Sequence, residues 1–188
     1  MGLTGKIKKS LFGLSIASMI FASSAFGYVG YKTLSIPTQK QEETNWCWAA
    51  SGVMTIDYYG DAPTQSQFVD WVKGDVVNET ATLFEVRQGI AHWGVSSADY
   101  YEVVPFGTLS GFINDNEPVV ARIGWSSGGG HMHVIRGYYE DTSIGKQDVY
   151  YIDSLTDEPT YNIMSYSSFV SNSQFTWTHS LEYIRKAI

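Results

Sequence analysis

Apolar residues recur at helical spacing through the first half of the chain. Between Cys47 and Tyr59 they share one face and Gly60 supplies a stop, so this segment predicts a helix that begins at the cysteine. Capping-box patterns at 64–67 and 82–85 predict that two further helices begin there. The apolar residues at 109–113 predict one more short helix.

The second half is instead rich in β-branched and aromatic runs bounded by turn residues. These runs predict strands at 118–125, 131–139, 148–153, 161–166 and 175–184. Helices followed by antiparallel strands are typical of an α+β fold, here with N-terminal helices packed on a C-terminal antiparallel sheet. The chain shows no repeat and no linker, which indicates one domain.

The first 27 residues have the pattern of a signal peptide. Lys6, Lys8 and Lys9 precede the apolar stretch 11–22, which is too short to span a bilayer, and 25–27 fits a small-x-small cleavage site. We therefore expect a signal peptide at 1–27 and a secreted or extracytoplasmic domain at 28–188. The alternative is a retained membrane anchor.

Charge and composition narrow the range of partners. The 188-residue chain has a formal net charge of −7, and signal removal would take away three lysines. Such an acidic protein is not expected to bind nucleic acid or, after signal removal, a membrane surface. Its 13 tyrosines and 6 tryptophans exclude a disordered chain. We expect a monomer that acts on a protein or peptide substrate.

Cys47 is the chain's only cysteine. Exported proteins usually pair their cysteines, so an unpaired thiol needs a reason, and nucleophilic catalysis provides one. A helix start favours the thiolate form. The flanking Trp46 and Trp48 would form walls of the site and partly exclude water from it, or would simply pack in the core. Gln41, six residues earlier, could stabilise an oxyanion together with the Cys47 N–H, although it could also be an ordinary loop residue.

Two histidines, His131 and His133, compete for the role of general base. They are two apart on one predicted strand and so share a face. A hairpin centred on residue 142 would place Asp153 directly opposite His131 and would leave His133 facing Tyr151. We therefore favour His131 as the base and Asp153 as its orienting partner, and expect His133 to pack beside them with a satisfied ring nitrogen.

Metal binding is a weaker alternative. His131-x-His133 with a distant Cys and Asp offers only one close ligand pair, whereas structural zinc usually has two. No phosphate-binding glycine motif is present, and 128–130 is interpreted as a flexible lip over the site. We predict neither a metal nor a cofactor.

These motifs together resemble the papain-like cysteine peptidases. The shared features are the Gln-to-Cys spacing of six, Cys-Trp-Ala at the helix start, and a histidine six residues before Gly137-Tyr138. Asn-Trp-Cys-Trp-Ala-Ala-Ser, Gly-His-Met-His-Val-Ile-Arg-Gly-Tyr and Tyr-Tyr-Ile-Asp are more specific. They resemble a compact bacterial branch related to bacteriocin-processing and effector-type proteases.

The resemblance implies a fold and four roles. Cys47 would be the nucleophile, His131 the acid/base, Asp153 the orienter and Gln41 the oxyanion donor. Asp153 stands where the plant enzymes have Asn, and Ser154-Leu155 replaces their Ser-Trp-Gly. The short segment before Gln41 leaves no room for a plant-type inhibitory propeptide.

The resulting hypothesis is a secreted cysteine peptidase that works through a thioester acyl-enzyme. Cell-wall peptide cleavage, deamidation and transglutaminase-like acyl transfer use the same chemistry and remain open. A non-catalytic binding module is a further alternative, but it would have no need of all four residues.

Overall fold

Helices form where the caps and apolar faces predict them. The computed structural model describes residue 1, residues 27–156 and residues 161–187. The helices in these ranges are α1 Cys47–Tyr59, α2 Gln65–Lys73, α3 Leu83–His92, α4 Phe106–Asn114 and α5 Tyr166–Val170. Both predicted capping boxes are formed, by Thr64 with Gln67 and by Thr82 with Glu85. The four predicted helices are therefore confirmed, whereas α5 lies just beyond a predicted strand and was not foreseen.

The strands in these described ranges form one antiparallel sheet. They are β1 Val29–Thr33, β2 Val95–Tyr100, β3 Val119–Trp125, β4 Gly130–Asp141, β5 Lys146–Asp153, β6 Tyr161–Ser165 and β7 Phe175–Lys186. Their order is β2-β7-β3-β4-β5-β6, with β1 paired to β4 off this path. The five predicted strands are present, and β1 and β2 are additions. The predicted α+β class is confirmed.

Strand β4 is long enough to pair with three neighbouring strands. Its first half pairs with β3 and its second half with β1, while β5 lies along its other edge. His131 therefore lies near the start of the strand, at the end of the sheet that the glycine-rich loop borders. Asp153 is the last residue of β5 and lies at the same end of the strands as His131.

Helix α1 runs through the core. Residues 48–56 are all buried, so this helix is covered on every side rather than on one face. Close approach of α2 depends on Gly52, where an added Cβ would lie 2.6 Å from the Phe68 ring. Ser51 Oγ also donates to Met132 O at 3.3 Å, which ties the helix to β4 between the two histidines.

The predicted register of the β4–β5 hairpin is wrong. Asp153 is paired with His133, not His131, and Tyr151 is paired with Ile135. The cause is that the strands close later, at Asp141 and Lys146. A register shift at Arg136 then moves the pairing back by one residue, so that Asp153 lies opposite His133 rather than Val134. That bulge is held by the Arg136 Nε–H, which donates to Leu34 O at 2.9 Å. His131 consequently reaches Asp153 along a diagonal rather than straight across.

The predicted signal peptide, 1–27, lies outside the described residues except at its two ends. Within the part of the chain that the structure describes, no helix has the length and apolar character needed to cross a membrane.

Candidate active site

The thiol of Cys47 lies at the first residue of α1. It is partly exposed, although the helix behind it is buried. The N-cap residue Trp46 makes no side-chain hydrogen bond to the first turn, and that turn contains no acidic residue. The free N–H groups and the positive end of the helix dipole are therefore available to a negative charge at the sulfur or on a bound carbonyl oxygen.

The segment that leads into α1 is fastened to the loop before α3. The indole nitrogens of Trp46 and Trp48 donate to Val77 O at 2.8 Å and Glu79 O at 2.9 Å. Asn45 donates twice to Asn78, from its backbone N–H to Oδ1 at 2.9 Å and from its Nδ2 to the backbone O at 3.0 Å. Both tryptophans are almost fully buried, so their main role is packing and anchoring, although Trp48 also lines the cavity beside Cys47. Sequence inspection did not find this brace, because its two halves are about thirty residues apart.

His131 and Asp153 form a short polar contact at the site. His131 Nε2 lies 2.8 Å from Asp153 Oδ1, and the same oxygen accepts from Leu155 N at 2.9 Å. Because Nε2 is engaged in this way, Nδ1 is the ring nitrogen left to hydrogen-bond Cys47. The structure thus brings Cys47, His131 and Asp153 together in the expected order.

The charges of these groups support one another. Burial of the His131 ring opposes protonation, but its hydrogen bonds to Asp153 and Cys47, and the charges of both, raise its pKa to about 9. Burial also raises the pKa of Asp153, yet the hydrogen bonds from His131 and the proximity of His133 outweigh it and hold that pKa well below the usual range. At neutral pH the pair is therefore an imidazolium next to a carboxylate.

His133 is placed differently from the expectation. Its ring packs among Tyr151, Phe169 and Phe175, and its Nε2 lies 3.6 Å from Asp153 Oδ2, too long for a hydrogen bond. Within the described residues neither ring nitrogen has a hydrogen-bond partner, so the expected satisfied nitrogen is wrong. Burial is the main reason that its pKa is lowered, and the charge of His131 adds to the effect.

Gln41 is buried and braces the turn before α1. Its Nε2 donates to Glu43 O at 2.8 Å and Thr44 O at 2.9 Å, and its Oε1 accepts from Ser154 Oγ at 3.2 Å. Its backbone N–H donates to Ser154 O at 3.0 Å. The glutamine therefore joins the end of β5 to the approach to Cys47. Both amide protons are engaged in this arrangement, and its oxyanion role stays a prediction.

Trp125 is a site residue that the sequence analysis missed. Its ring stacks on His131 with centroids 5.8 Å apart and planes 21° from parallel. The resemblance to plant enzymes had drawn attention to the missing tryptophan after Asp153, whereas this one comes from β3. Its position shields one face of the imidazole from water. The only local signal was that 125 ends a predicted strand just before the glycine-rich loop.

An open cavity of about 360 Å³ adjoins the thiol. Cys47 and His131 both line it, together with Gly129 and Gly130. Both Gly128 and Gly129 have positive φ, of 96° and 83°, which glycine adopts without strain. The cavity gives a substrate carbonyl access to both the sulfur and the start of α1.

The geometry also bears on metal binding. His131, His133 and Asp153 each offer a ligand atom, and these atoms lie within 4.8 Å of one another. However, Asp153 Oδ1 already accepts two hydrogen bonds, one from His131 itself. The three residues fit an ion only if that pair opens, so the hydrogen-bonded arrangement favours acid–base chemistry.

Helices on an antiparallel sheet, with a cysteine at a helix start facing a histidine on a strand, define a papain-like cysteine peptidase. A family model described as the Peptidase_C39 like family matches residues 33–181, and the chain belongs to this family. The expected resemblance to the bacteriocin-processing branch is thereby confirmed. No curated protein sequence matches the chain.

Solved structures support the same fold. A double-glycine-motif protease from an AMS/PCAT transporter, solved with its leader peptide, is 21% identical with a TM-score of 0.55, covering 80% of this chain and 93% of its own. The peptidase domain of Streptococcus ComA, a bifunctional ABC transporter involved in quorum sensing, is 16% identical with a TM-score of 0.56, covering 77% and 96%. A protein described as a C39-like peptidase from Bacillus anthracis is 15% identical with a TM-score of 0.59, covering 84% and 99%.

Proposed function

We propose that this peptidase hydrolyses peptide bonds through a Cys47–His131–Asp153 triad and a thioester acyl-enzyme. The single observation that supports this most is the His131–Asp153 contact of 2.8 Å, which holds a charged imidazole against the thiol at the start of α1. A nucleophile, a base and an orienter in hydrogen-bond sequence are the parts that such a reaction needs.

The reaction divides into acylation and deacylation. In acylation the Cys47 thiolate attacks the substrate carbonyl, and the oxygen gains negative charge near the N–H groups of α1. His131 then gives its proton to the leaving amine, the C–N bond breaks and a thioester remains. In deacylation neutral His131 takes a proton from water as the water attacks the thioester, and the acid product leaves with the thiolate restored.

The substrate is proposed to be a peptide or an unfolded stretch of protein. The cavity is open, and a structurally similar protease was solved with a leader peptide. We propose that the protein acts as a monomer.

The test is to incubate the purified domain with a peptide mixture and sequence the products. New amino termini that depend on Cys47 support the proposal, and Cys47→Ser should abolish them while leaving the unfolding midpoint nearly unchanged. Conversion of side-chain amides to acids, or cross-linked products, without new termini would instead assign the site to deamidation or acyl transfer.

We further propose that the domain works outside the cytoplasm after removal of 1–27. The basic, apolar and small-residue pattern of this segment supports the proposal, and from Tyr28 onward the chain is engaged in the fold, since Tyr28 N donates to Thr142 Oγ1 at 2.8 Å. N-terminal sequencing of exported protein should begin near Tyr28. A cell-retained product that still contains Lys6 to Lys9 would contradict it.

A further inference from the structure

A cation faces the cavity beside the thiol. Arg122 lies on β3, next to Ile123, which pairs with His131, and its side chain lines the same cavity as Cys47. Its Nη1 donates to Thr178 Oγ1 at 2.8 Å, which fixes one side of the guanidinium. Its Nη2 lies close to Gly130, since a Cβ built there would be only 3.1 Å away. The glycine therefore leaves room for the arginine next to the site.

The charge of Arg122 is not neutralised from within the described part of the chain. The arginines at 87 and 185 are paired, with Asp99 at 3.1 Å and Glu117 at 3.3 Å. Arg122 has no carboxylate in ion-pair range among the described residues, and none of the residues that line its cavity is acidic. An unpaired arginine in a partly enclosed cavity is a strong site for an anion, because its planar fork matches a carboxylate.

Arg122 also lines a second cavity. This second cavity, of about 510 Å³, shares Ala81 and Arg122 with the first, and we call the two adjoining cavities the groove. Phe84 and Tyr101, which are 52% and 68% exposed, line the second cavity. Exposed aromatic side chains that line a groove suit an apolar residue of an extended ligand.

We propose that Arg122 binds the side-chain carboxylate of a Glu or Asp close to the scissile bond of the substrate, with an apolar residue beyond it packing on Phe84 and Tyr101. The inference deepens the proposed peptidase function and rests on it. It names the substrate class: a peptide in which one acidic residue near the cleaved bond is followed, along the groove, by an apolar one.

The experiment compares pairs of peptides that differ only by Glu or Gln, with the position moved stepwise on both sides of the cleaved bond. At one position we expect kcat/KM to favour Glu by roughly 10–100-fold, as for a charge-assisted hydrogen bond. Arg122→Gln should bring this ratio close to one. Arg122→Lys should keep part of the preference, because it retains the charge but not the fork.

Arg185→Gln is the matched control, because it removes one positive charge outside the groove and should leave the Glu-to-Gln ratio as it is in the parent protein. The inference is overturned if no position prefers Glu, if the preference survives Arg122→Gln, or if Arg185→Gln lowers it equally. A preference for a free C-terminal carboxylate alone would also overturn it, since the proposed ligand is a side chain.

A second readout separates this inference from the peptidase function. Peptide chloromethyl ketones that carry Glu or Gln at the chosen position alkylate a reactive cysteine without any turnover. Faster labelling of Cys47 by the Glu reagent, lost in Arg122→Gln, supports the subsite even if no peptide is hydrolysed. Equal labelling by the two reagents in a protein that does cleave peptides overturns the subsite and leaves the peptidase function standing.

Discussion

His131 and His133 lie on the same face of β4, with ring centroids 4.8 Å apart, and both approach Asp153. Their exposed fractions, 3% and 2%, do not distinguish the two histidines, but their neighbouring residues do. His131 contacts Asp153, the thiol and the Trp125 ring at the cavity. His133 is instead packed among aromatic side chains. Equal burial therefore gives opposite pKa shifts, because hydrogen bonds to the charged form outweigh burial only for His131.

Contacts of less than a residue's width separate the charged histidine from its neighbour: the nearer carboxylate oxygen and the thiol both favour the charged form of His131. Asp153 presents Oδ1 to His131 at 2.8 Å and Oδ2 to His133 at 3.6 Å. A difference of less than 1 Å separates a charge-assisted hydrogen bond from a loose contact. One aspartate thereby stabilises the charged form of His131, which lines the cavity, and leaves the neighbouring His133 neutral.

Replacing each histidine in turn tests this contrast with the largest expected effect. His131→Ala should lower kcat by roughly 10⁴-fold or more, since it removes both the base and the cation beside the sulfur. His133→Ala should keep kcat within the same order of magnitude and lower stability through the space it leaves. Steady-state rates on a cleaved peptide, with urea unfolding as the check on folding, measure both.

The rate of Cys47 alkylation by iodoacetamide provides an independent comparison of the same variants. The alkylation rate measured near pH 6 should fall in His131→Ala and be kept in His133→Ala, because only His131 is hydrogen-bonded to the thiol. The reverse pattern would make His133 the catalytic histidine and would contradict the assignment made from the structure.

The next largest effect on kcat is expected for Gln41, in the segment that leads into α1. If Gln41 turns one amide proton toward the developing oxyanion, Gln41→Ala should lower kcat by roughly 10²–10³-fold with little change in KM. If it only braces the turn through Glu43 and Thr44, the loss should appear mainly as a lower unfolding free energy. Measuring kcat, KM and the urea midpoint together distinguishes the two roles.

Asp153→Asn tests the same contrast between the two histidines and is expected to have a smaller effect on the rate. An amide oxygen can still accept from His131, but it carries no charge, so the pKa of His131 should fall from about 9. Since the leaving amine needs a protonated His131, the alkaline limb of the kcat/KM profile should move to lower pH. His133→Ala is the matched control and should leave that limb in place.

The smallest effect concerns stability against pH. The folded-state pKa of His133 is lowered, so below the unfolded value near 6.5 the unfolded chain binds a proton that the folded protein does not. Its contribution therefore destabilises the protein as pH falls below about 6.5. His133→Phe should flatten the fall in urea midpoint between pH 7 and pH 5 relative to the parent protein.

His131 has the opposite sign. Its pKa is raised, so its contribution to stability is complete below about 6.5 and is lost as pH rises toward about 9. If His133→Phe changed the alkaline side of the stability curve instead of the acid side, the two environments would have been assigned the wrong way round.

The sequence by itself determined the local structure. Helix α1 begins and ends where its apolar spacing and Gly60 indicate, and both capping boxes form, because these signals act within a few residues. Helical patterns followed by strand patterns predicted the α+β class, and the resemblance carried by the motifs around Cys47 and His131 implied the papain-like fold. Strands β1 and β2 and helix α5 were missed, because their short apolar patterns are completed only by distant neighbours.

Only the tertiary structure decided how the pieces meet. The hairpin register depended on the bulge at Arg136, which is held by Leu34 about a hundred residues away. Trp125 over His131, the brace at 77–79 and the unpaired Arg122 likewise arise from contacts between separate elements. Periodicity fixes which residues share a face, but it contains no information on the side-chain distances that charge one histidine and leave its neighbour neutral.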